Sequence, residues 1–408
     1  MSHLTFMEKL LDGVDVEWKR LGDVVVRTKG TKITASQMKE LHKAGAPVKI
    51  FAGGKTVAFV DFEDIPLKDV NYEPSIIVKS RGIIEFEYYD KAFSHKNEMW
   101  SYHSNNTSIH IKYIYHFLKL NEPHFQNIGS KMQMPQIATP DTDKFEIPIP
   151  CPDNPEKSLE IQAEIVRILD AFTAMTAELT AELNMRKTQY NYYREKLLSF
   201  DDEDVEWKSL DDIVSFRRGS FPQPYGNSEW YGGEDSFPFV QVADVSDFGF
   251  VLNSETKQRI SKLAQTKSVF VEAGTVLVTL QGTIGRVAVT QYDCYVDRTL
   301  AIFTDYKEKI NKKYFAHQLK RKFDIEKEFA RGSTLKTITK DEFSKFLIPV
   351  PPVAEQDRIV AILDKFDALT HSITEGLPRE IELRQQQYEY YRDLLLSFPK
   401  PEPTPASN

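Results

Sequence analysis

The chain of 408 residues carries 52 Lys and Arg against 60 Asp and Glu, which gives a formal net charge of −8 at pH 7. This length predicts more than one domain, because a single hydrophobic core stops growing at about 250–300 residues. No apolar run reaches the ~18–20 residues that span a bilayer, and two cysteines exclude a disulfide framework and a cysteine-based zinc site. We therefore expect a cytoplasmic globular protein with no membrane partner.

The first 150 residues mix short β-like runs with one helix. Strands are predicted near 24–26, 57–60, 76–78 and 83–86, and a helix at 111–120. An Ile-Pro-Ile-Pro segment at 147–150 marks the boundary of this block.

A long helix follows the boundary. Its apolar positions run from Ile161 through Ile165 and Phe172 to Leu197, with alternating spacings of four and three that form a heptad seam. The seam shifts once because Thr-Ala-Glu-Leu at 176–179 is repeated at 180–183. About forty helical residues would span ~60 Å. We interpret the Tyr and Met residues of this helix as filling its core seam.

The second block repeats this order. Strands are predicted near 239–242, 276–280 and 286–289, a helix at about 311–329, and an Ile-Pro-Val-Pro boundary at 348–351. The final helix is interrupted by Gly376-Leu377-Pro378 and is predicted to restart at or just after Pro378. The proline-rich tail 399–408 is expected to be disordered. The two long amphipathic helices are predicted to form an antiparallel pair.

The chain is one unit of about two hundred residues used twice. Asp-Val-Glu-Trp-Lys at 15–19 returns at 204–208, and Lys112, Tyr113 and His116 return as Lys313, Tyr314 and His317. The Ile-Pro-x-Pro boundary, Ile-Leu-Asp at 168–170 and Leu-Leu-Ser-Phe at 197–200 also recur in the same order. Ordered recurrence of this kind indicates internal duplication. Residues 8–11 match the end of the first long helix at 195–198.

These patterns predict an α+β fold with two pseudo-symmetric globular α/β domains, joined by an antiparallel pair of long coiled-coil helices. The expected division is 1–18, packing with the C-terminal helix; 19–150, the first globular domain; 151–207, the central spacer helix; 208–351, the second globular domain; 352–398, the C-terminal spacer helix; and 399–408, the tail.

The charge is distributed unevenly between these parts. Residues 19–150 have a net charge of +3, residues 208–351 also have +3, and the remainder has −14. The acidity therefore belongs to the helices, linkers and tails. Mildly basic globular domains permit contact with nucleic acid, although the charge alone does not establish it.

No sequence motif of a catalytic centre is convincing. Gly53-Gly54-Lys55-Thr56 resembles the end of a phosphate-binding loop, but Lys49 stands where the first glycine is required. Asp247-Phe248-Gly249 lacks an accompanying His-Arg-Asp segment, and the nine histidines show no metal-binding spacing. We expect no catalytic residue, no metal and no cofactor bound by this chain. A stand-alone enzyme and a protein-binding coiled-coil scaffold are the alternatives.

The duplicated order of motifs resembles the specificity (S) subunit of type I restriction–modification enzymes over essentially the whole chain. It is most similar to the subfamily with Thr-Ala-Glu-Leu repeats in the central spacer. The motifs are the two Ile-Pro-x-Pro boundaries, Gln162 and Gln356 with the Ile-Val-x-Ile-Leu-Asp segments that follow them, and Gly-Ser-Thr at 332–334. The first block departs from the last motif, since it has Gly-Ser-Lys at 129–131.

The resemblance implies a DNA-reading subunit without catalysis of its own. Its two target-recognition domains would each read half of a bipartite site in double-stranded DNA, and its helices would set the gap. The implied partners are two modification subunits, which methylate adenine with S-adenosylmethionine, and restriction subunits, which use ATP and Mg for cleavage away from the site.

Candidate DNA contacts are polar residues in glycine-rich or basic turns, because Arg, Lys, Asn and Gln read base edges and small polar residues hold phosphates. The alternative for each is an ordinary polar turn. In the first domain the candidates are Lys29, Lys32, Lys79, Arg81, Asn105, Asn106, Thr107, Ser130, Lys131 and Gln133. In the second they are Arg217, Arg218, Gln281, Thr283, Arg286, Arg331, Ser333, Thr334 and Lys336.

Overall fold

The computed structural model describes residues 15–131, 133–201, 203–247, 249–329, 343–372 and 375–399. The chain divides into two compact units. Unit 1 consists of Met1–Ala177 with Leu383–Asn408, and unit 2 consists of Glu178–Glu382. None of the described helices combines the length and the apolarity that crossing a membrane requires.

Unit 1 contains nine described strands in three small sheets. The strand orders are β1-β9, β2-β8-β5-β6 and β4-β3-β7. The strands are β1 (Val16–Arg20), β2 (Val26–Thr28), β3 (Val48–Phe51), β4 (Val57–Val60), β5 (Ser75–Lys79), β6 (Glu85–Tyr89), β7 (Phe93–His95), β8 (Trp100–His103) and β9 (Glu146–Pro150).

The helices of the first globular domain lie between or after these strands. They are α1 (Leu21–Val24), α2 (Ala35–Leu41), α3 (Ile111–Leu120), α4 (Glu122–Gly129) and α5 (Thr139–Asp143). The predicted helix at 111–120 is confirmed. The predicted strand at 24–26 is wrong, because buried Leu21 anchors a single helical turn that ends at Val24, and β2 begins only afterwards.

Unit 2 repeats this arrangement with ten described strands. The strand orders are β10-β19, β11-β18-β15-β16 and β13-β12-β17-β14. The strands are β10 (Glu206–Ser209), β11 (Val214–Arg218), β12 (Phe237–Val240), β13 (Gln258–Ile260), β14 (Val269–Val271), β15 (Val276–Thr279), β16 (Val287–Val289), β17 (Cys294–Val296), β18 (Leu300–Tyr306) and β19 (Leu347–Val350).

The remaining helices are the long helix between the two globular domains, the helices of the second globular domain and the interrupted C-terminal helix. They are α6 (Pro155–Leu198), α7 (Leu210–Ile213), α8 (Lys262–Gln265), α9 (Lys312–Phe329), α10 (Val353–His371) and α11 (Gly376–Leu395). The C-terminal helix is interrupted as predicted, but α11 begins at Gly376 rather than at Pro378. Pro378 stands in the first turn of α11, where a missing N–H costs no helical hydrogen bond.

The Ile-Pro-x-Pro boundaries are strands rather than linkers. Trp18 of β1 pairs with Pro148 of β9, and Trp207 of β10 pairs with Pro349 of β19, both antiparallel. The hydroxyl of Tyr113 on α3 donates to the carbonyl oxygen of Pro148 at 2.8 Å. The equivalent hydroxyl in unit 2 donates to the carbonyl of Pro349 at 3.0 Å. Each boundary therefore ties a globular domain to the helix that follows it.

Helix pairing within each unit accounts for the seam. In unit 2, Tyr190 of α6 contacts His371 of α10, and Tyr193, further along α6, contacts Phe366, so the two helices run antiparallel. In unit 1, Phe172 of α6 stacks on Tyr391 of α11 with ring centroids 5.2 Å apart. The predicted α+β fold and antiparallel helix pairing are confirmed.

The side chains of α6 do not all enter a core. Ile161 and Ile165 pack in the core of unit 1 with Leu395, whereas Met175 is 42% exposed and Tyr192 is 62% exposed. The interpretation that the Tyr and Met residues fill the seam is therefore wrong for Met175, whereas it is confirmed for Tyr190, which is 5% exposed. One partner helix covers only one stripe of its neighbour's surface.

Candidate nucleic-acid interface

Strands β2 and β5 of unit 1 end at the same edge of their sheet, on either side of the start of β8. Thr28 of β2 pairs with Ser101 of β8, and Val78 of β5 pairs with Trp100. Lys29 and the turn at 80–84 therefore leave the sheet at the same end. We call this end of unit 1 loop end 1.

Three further loops meet at loop end 1. The amide of Thr31 donates to the carbonyl of His95 at 2.8 Å, and the amide of Lys96 donates to that of Phe51 at 2.9 Å. The turn after β5 is joined to the segment before α5, because the amide of Gly82 donates to the carbonyl of Pro135 at 2.9 Å. Segments that are far apart in the sequence are in this way fixed beside one another.

Loop end 1 is strongly basic. Loop end 1 carries six basic side chains. The carboxylate of Glu98 lies 2.6 Å from the ammonium of Lys96, and that of Glu85 is paired with Lys79 at the end of β5. Clustered cations of this kind attract the phosphates of a nucleic acid. Five of the six side chains are exposed. Among the described residues, four of these five have no acidic partner, namely Lys29, Lys32, Lys55 and Lys131. The basic residues are Lys29, Lys32, Lys55, Arg81, Lys96 and Lys131.

Unit 2 has the same arrangement at the edge where β11 and β15 end. Arg218 pairs with Ala301 and Thr279 pairs with Leu300, so both strands flank the start of β18. The amide of Leu280 donates to the carbonyl of Thr299 at 2.8 Å. We call this end of unit 2 loop end 2.

The exposed cations of loop end 2 come from three segments. They are Arg217, Arg218, Lys267 and Arg298. The guanidinium of Arg298 lies over the ring of Tyr225, 5.2 Å from its centroid. The carboxylate of Asp297 is buried and accepts from the hydroxyl of Tyr225 at 2.6 Å, so it adds little negative charge to the surface.

Two glycines show that the loop ends are equivalent. A Cβ on Gly30 would overlap the carbonyl oxygen of His95, and a Cβ on Gly219 would overlap that of Val296. The next residue makes the same bond in both units, since the amide of Ser220 donates to the carbonyl of Val296 at 3.1 Å, as that of Thr31 does to His95. Only glycine permits this close approach of two backbones.

The turns after β5 and β15 are also equivalent. Gly82 has φ of +75° and Gly282 has φ of +69°, the left-handed region that favours glycine. Arg81 precedes the first glycine and Gln281 precedes the second. The duplication therefore extends into these turns, although their sequences differ.

Several candidate residues lie at these ends and are exposed. In unit 1 they are Lys29, Lys32, Arg81, Ser130, Lys131 and Gln133; in unit 2 they are Arg217, Arg218 and Thr283, with Gln281 half-buried. The structure adds Lys55, Lys96, Lys267 and Arg298, which sequence reasoning missed. Gly53-Gly54-Lys55 was visible as a glycine-rich segment, whereas isolated cations such as Lys267 and Arg298 give no sequence signal.

Other candidates are placed less favourably. Asn105, Asn106 and Thr107 follow the far end of β8, where His103 pairs with Val26, and so lie opposite loop end 1. The ammonium of Lys79 is almost fully buried between the carboxylates of Glu85 and Glu87. Arg286 is half-buried and pairs with Asp247 at 2.5 Å. Arg331, Ser333, Thr334 and Lys336 lie outside the described residues.

One group of possible metal ligands occurs among the described residues. Ligand atoms of His317, Asp364 and Asp367 lie within 4.8 Å of one another, and burial lowers the pKa of His317 to about 4. The ammonium of Lys313 lies 2.7 Å from Asp364 and would repel a cation. In unit 1 the equivalent histidine, His116, lies 3.2 Å from Asp170. We therefore interpret the group as a structural contact between α9 and α10.

Comparisons with known proteins agree with the duplication. The family model described as type I restriction modification DNA specificity domain matches residues 13–186 and again residues 202–383. The chain is 40% identical to the specificity subunit of the Escherichia coli type I restriction enzyme EcoR124I/EcoR124II, over 98% of this chain and 99% of that one. It is 31% identical to the EcoprrI specificity subunit of E. coli, over 92% and 93%.

Solved structures share the fold. The S subunit of a type I restriction–modification system from M. genitalium aligns over 95% of this chain and 98% of its own, with a TM-score of 0.59 and 16% identity. A protein from a structural study of type I complex assembly aligns over 94% and 98%, with a TM-score of 0.55. None of these comparisons supports a protein-binding scaffold.

Proposed function

The chain belongs to the type I restriction–modification DNA specificity family, and on this premise we propose that loop ends 1 and 2 each contact one half of a bipartite DNA site. The chain is the specificity subunit of such a system and is not itself catalytic. The observation that carries the proposal is the equivalence of two exposed basic surfaces, built on the same backbone frame in each unit.

The contacts that we propose have two roles. Lys29, Lys32 and Lys131 in unit 1, and Arg217 and Arg218 in unit 2, bind phosphates, because they are exposed and have no described carboxylate partner. The polar turn residues Ser130, Gln133 and Thr283 hold the DNA backbone in position at the same surfaces. Asn105, Asn106 and Thr107 lie at the other end of their sheet, so they would contact DNA at a surface separate from loop end 1.

From this placement we propose a role for each part of the chain. We propose that residues 19–150 and 208–351 are the two target-recognition domains and that 151–207 and 352–398 are the spacer helices. Residues 1–18 would pack with the C-terminal helix. In support, the indole of Trp18 donates to the carbonyl oxygen of Pro399 at 2.9 Å within unit 1. Residues 1–14 and 400–408, including most of the predicted tail, lie outside the described residues.

The partners follow from the family. The family places the chain in a restriction–modification complex with DNA. We propose that two modification subunits, which supply S-adenosylmethionine, bind one chain, because each unit repeats the same surfaces. Restriction subunits that use ATP and Mg would join the same complex.

The repeated Thr-Ala-Glu-Leu segment at 176–183 lies within the uninterrupted helix α6. We propose that the chain belongs to the subfamily with this repeat and that α6 sets the distance between half-sites. Four helical residues correspond to ~6 Å, against ~3.4 Å of rise for each base pair. Deleting residues 180–183 should therefore change the unspecified gap by about one or two base pairs and leave both half-sites unchanged.

The test is methylation of a library of gapped sites by the chain bound to its modification subunits. The matched control replaces residues 180–183 with four alanines, which preserves the helix length and should preserve the gap. An unaltered gap in the deletion variant would refute the spacer proposal. Failure of the unmodified complex to show sequence-dependent, salt-sensitive DNA binding would refute the function itself.

A further inference from the structure

Arg81 and Gln281 occupy the same place in the two units. Each is the second residue beyond a central strand, since β5 ends at Lys79 and β15 ends at Thr279. Each is followed by a glycine in the left-handed conformation. The two side chains therefore leave equivalent turns at loop ends 1 and 2, although their chemistry differs.

The turns are held rigidly on the protein side. In unit 1 the carbonyl of Ser80 accepts from the amide of Ile137 at 3.0 Å, and its hydroxyl donates to the carbonyl of Glu98 at 2.9 Å. In unit 2 the hydroxyl of Thr279 accepts from the amide of Arg286 at 2.9 Å. A side chain on a fixed backbone loses less freedom on binding than one on a flexible loop.

Both side chains retain free polar groups. Arg81 is exposed and uses only its Nε, which donates to Oε1 of Gln136 at 3.1 Å. Its two Nη groups make no hydrogen bond with a described residue. Gln281 is half-buried, and its amide likewise makes no hydrogen bond with any residue that the structure describes. The bond to Gln136 restrains the guanidinium, and the carboxylate of Glu98 is close enough to interact with its charge. Both Nη groups remain for a ligand.

The chemistry of the two groups differs in what it recognises. A guanidinium donates two parallel hydrogen bonds to O6 and N7 of guanine, whereas a glutamine amide accepts from N6 and donates to N7 of adenine. The flanking cations of each loop end would hold phosphates and carry no sequence information of their own.

We propose that Arg81 and Gln281 are equivalent base-reading residues, with Arg81 reading a guanine in one half-site and Gln281 reading an adenine in the other. The proposal rests on the proposed function of loop ends 1 and 2. It deepens that function by assigning a base to one residue of each unit.

The experiment uses the full chain bound to its modification subunits. The first step identifies the site of the unmodified complex by methylation of a random DNA library. The second step measures, at each specified position, the ratio of methylation rates for the four bases with Arg81→Ala, Gln281→Ala and Gln281→Arg. Arg167→Ala is the matched control, because Arg167 is exposed on α6 and, among the described residues, pairs only with Glu164 of the same helix.

Arg81→Ala should lower the preference for guanine at one position of one half-site by roughly 5- to 150-fold, the discrimination of one bidentate contact. Gln281→Ala should do the same for adenine at one position of the other half-site. Gln281→Arg should turn that adenine preference toward guanine, with the first half-site and the gap unchanged. Arg167→Ala should leave every ratio as it is in the unmodified complex.

Several outcomes would overturn the proposal. One is an unchanged base preference in all three variants, and another is an equal loss of rate at every position, which would mark both residues as phosphate contacts. Arg81→Lys, which keeps the charge but loses the fork, covers the case in which the alanine variant does not assemble. If the unmodified complex methylates no bipartite site, the proposed function fails; if it does and the ratios stay constant, only this proposal fails.

Discussion

Gln162 and Gln356 attach the globular domains to the helices that follow them, and replacing either with leucine should weaken one attachment and not the other. Both side chains are fully buried. Oε1 of Gln162 accepts from the amide of His110 at 2.9 Å, and its Nε2 donates to the carbonyl of Ser108 at 3.0 Å. Oε1 of Gln356 accepts from the amide of Asn311 at 2.8 Å.

The magnitude follows from the groups that leucine leaves unpaired. Gln162→Leu keeps the side-chain volume similar but leaves the amide of His110 and the carbonyl of Ser108 without their hydrogen-bond partner. A fully buried polar group left without a partner costs about 1–3 kcal/mol. Residues 108 and 110 are half-buried, so each group should cost about 1 kcal/mol and the variant should lose about 2 kcal/mol. This loss is measurable against the ~5–15 kcal/mol that stabilises a domain. Gln356→Leu should cost a similar amount in unit 2, where the carbonyl of Pro351 is the second group stranded.

Hydrogen exchange with mass spectrometry reads the two attachments separately in one experiment. In the full chain bound to its modification subunits, Gln162→Leu should speed exchange in residues 108–118 by tenfold or more, because 1.4 kcal/mol corresponds to tenfold. Residues 311–319 should be unaffected, and Gln356→Leu should give the reverse. The control is Gln189→Leu: Gln189 is half-buried on α6 and accepts, among the described residues, only from Arg186, so its replacement should change neither segment. Equal acceleration of both segments, or of neither, would refute the reasoning.

Two further predictions concern stability. Burial lowers the pKa of His116 and of His317 to about 4; the folded chain thus keeps them neutral while the unfolded chain protonates them below ~6.5. The free energy of unfolding should fall as the pH falls from ~6.5 toward 4, by up to about 1.4 kcal/mol per pH unit for each histidine. Urea midpoints measured at pH 7, 6 and 5 should decline less steeply in the double variant that combines His116→Gln and His317→Gln. Gly30→Ala and Gly219→Ala should each cost about 1–3 kcal/mol by overpacking, measured by urea unfolding, whereas Gly226→Ala, with open space around it, should stay within about 0.5 kcal/mol.

The repeat could be recognised in the sequence at positions where residues distant in the chain contact one another. Lys112 pairs with Asp170 at 2.7 Å, and Lys313 pairs with Asp364 at 2.7 Å. Each such pair requires two matching residues about fifty positions apart, so both appear as recurring motifs. The helix lengths were also predictable, because heptad spacing depends only on local sequence.

The candidate surfaces were less accessible to sequence reasoning. Loop end 1 collects residues from five segments, from Lys29 to Lys131, and no periodicity relates them. Lys79 illustrates the resulting error, because its glycine-rich neighbourhood favoured an exposed turn. It instead ends a fully buried strand, where its charge requires the two nearby carboxylates. Short strands such as β7 and β17 were missed because three residues carry too little alternation to identify.

The two copies of the repeat share their attachment residues and differ at the surfaces that we propose bind DNA, and this contrast has an energetic cause. Substituting a buried attachment residue such as Gln162 should cost about 2 kcal/mol, whereas an exposed residue such as Arg81 or Lys29 can change within about 0.5 kcal/mol of stability. The two copies of the repeat therefore keep the same anchors and the same backbone frame at Gly30 and Gly219. The side chains that project from this frame are free to differ, as the exposed Arg81 and the half-buried Gln281 do. If loop ends 1 and 2 bind DNA as proposed, substitutions there can change the sequence that one unit recognises without weakening the attachment of that unit to its helix.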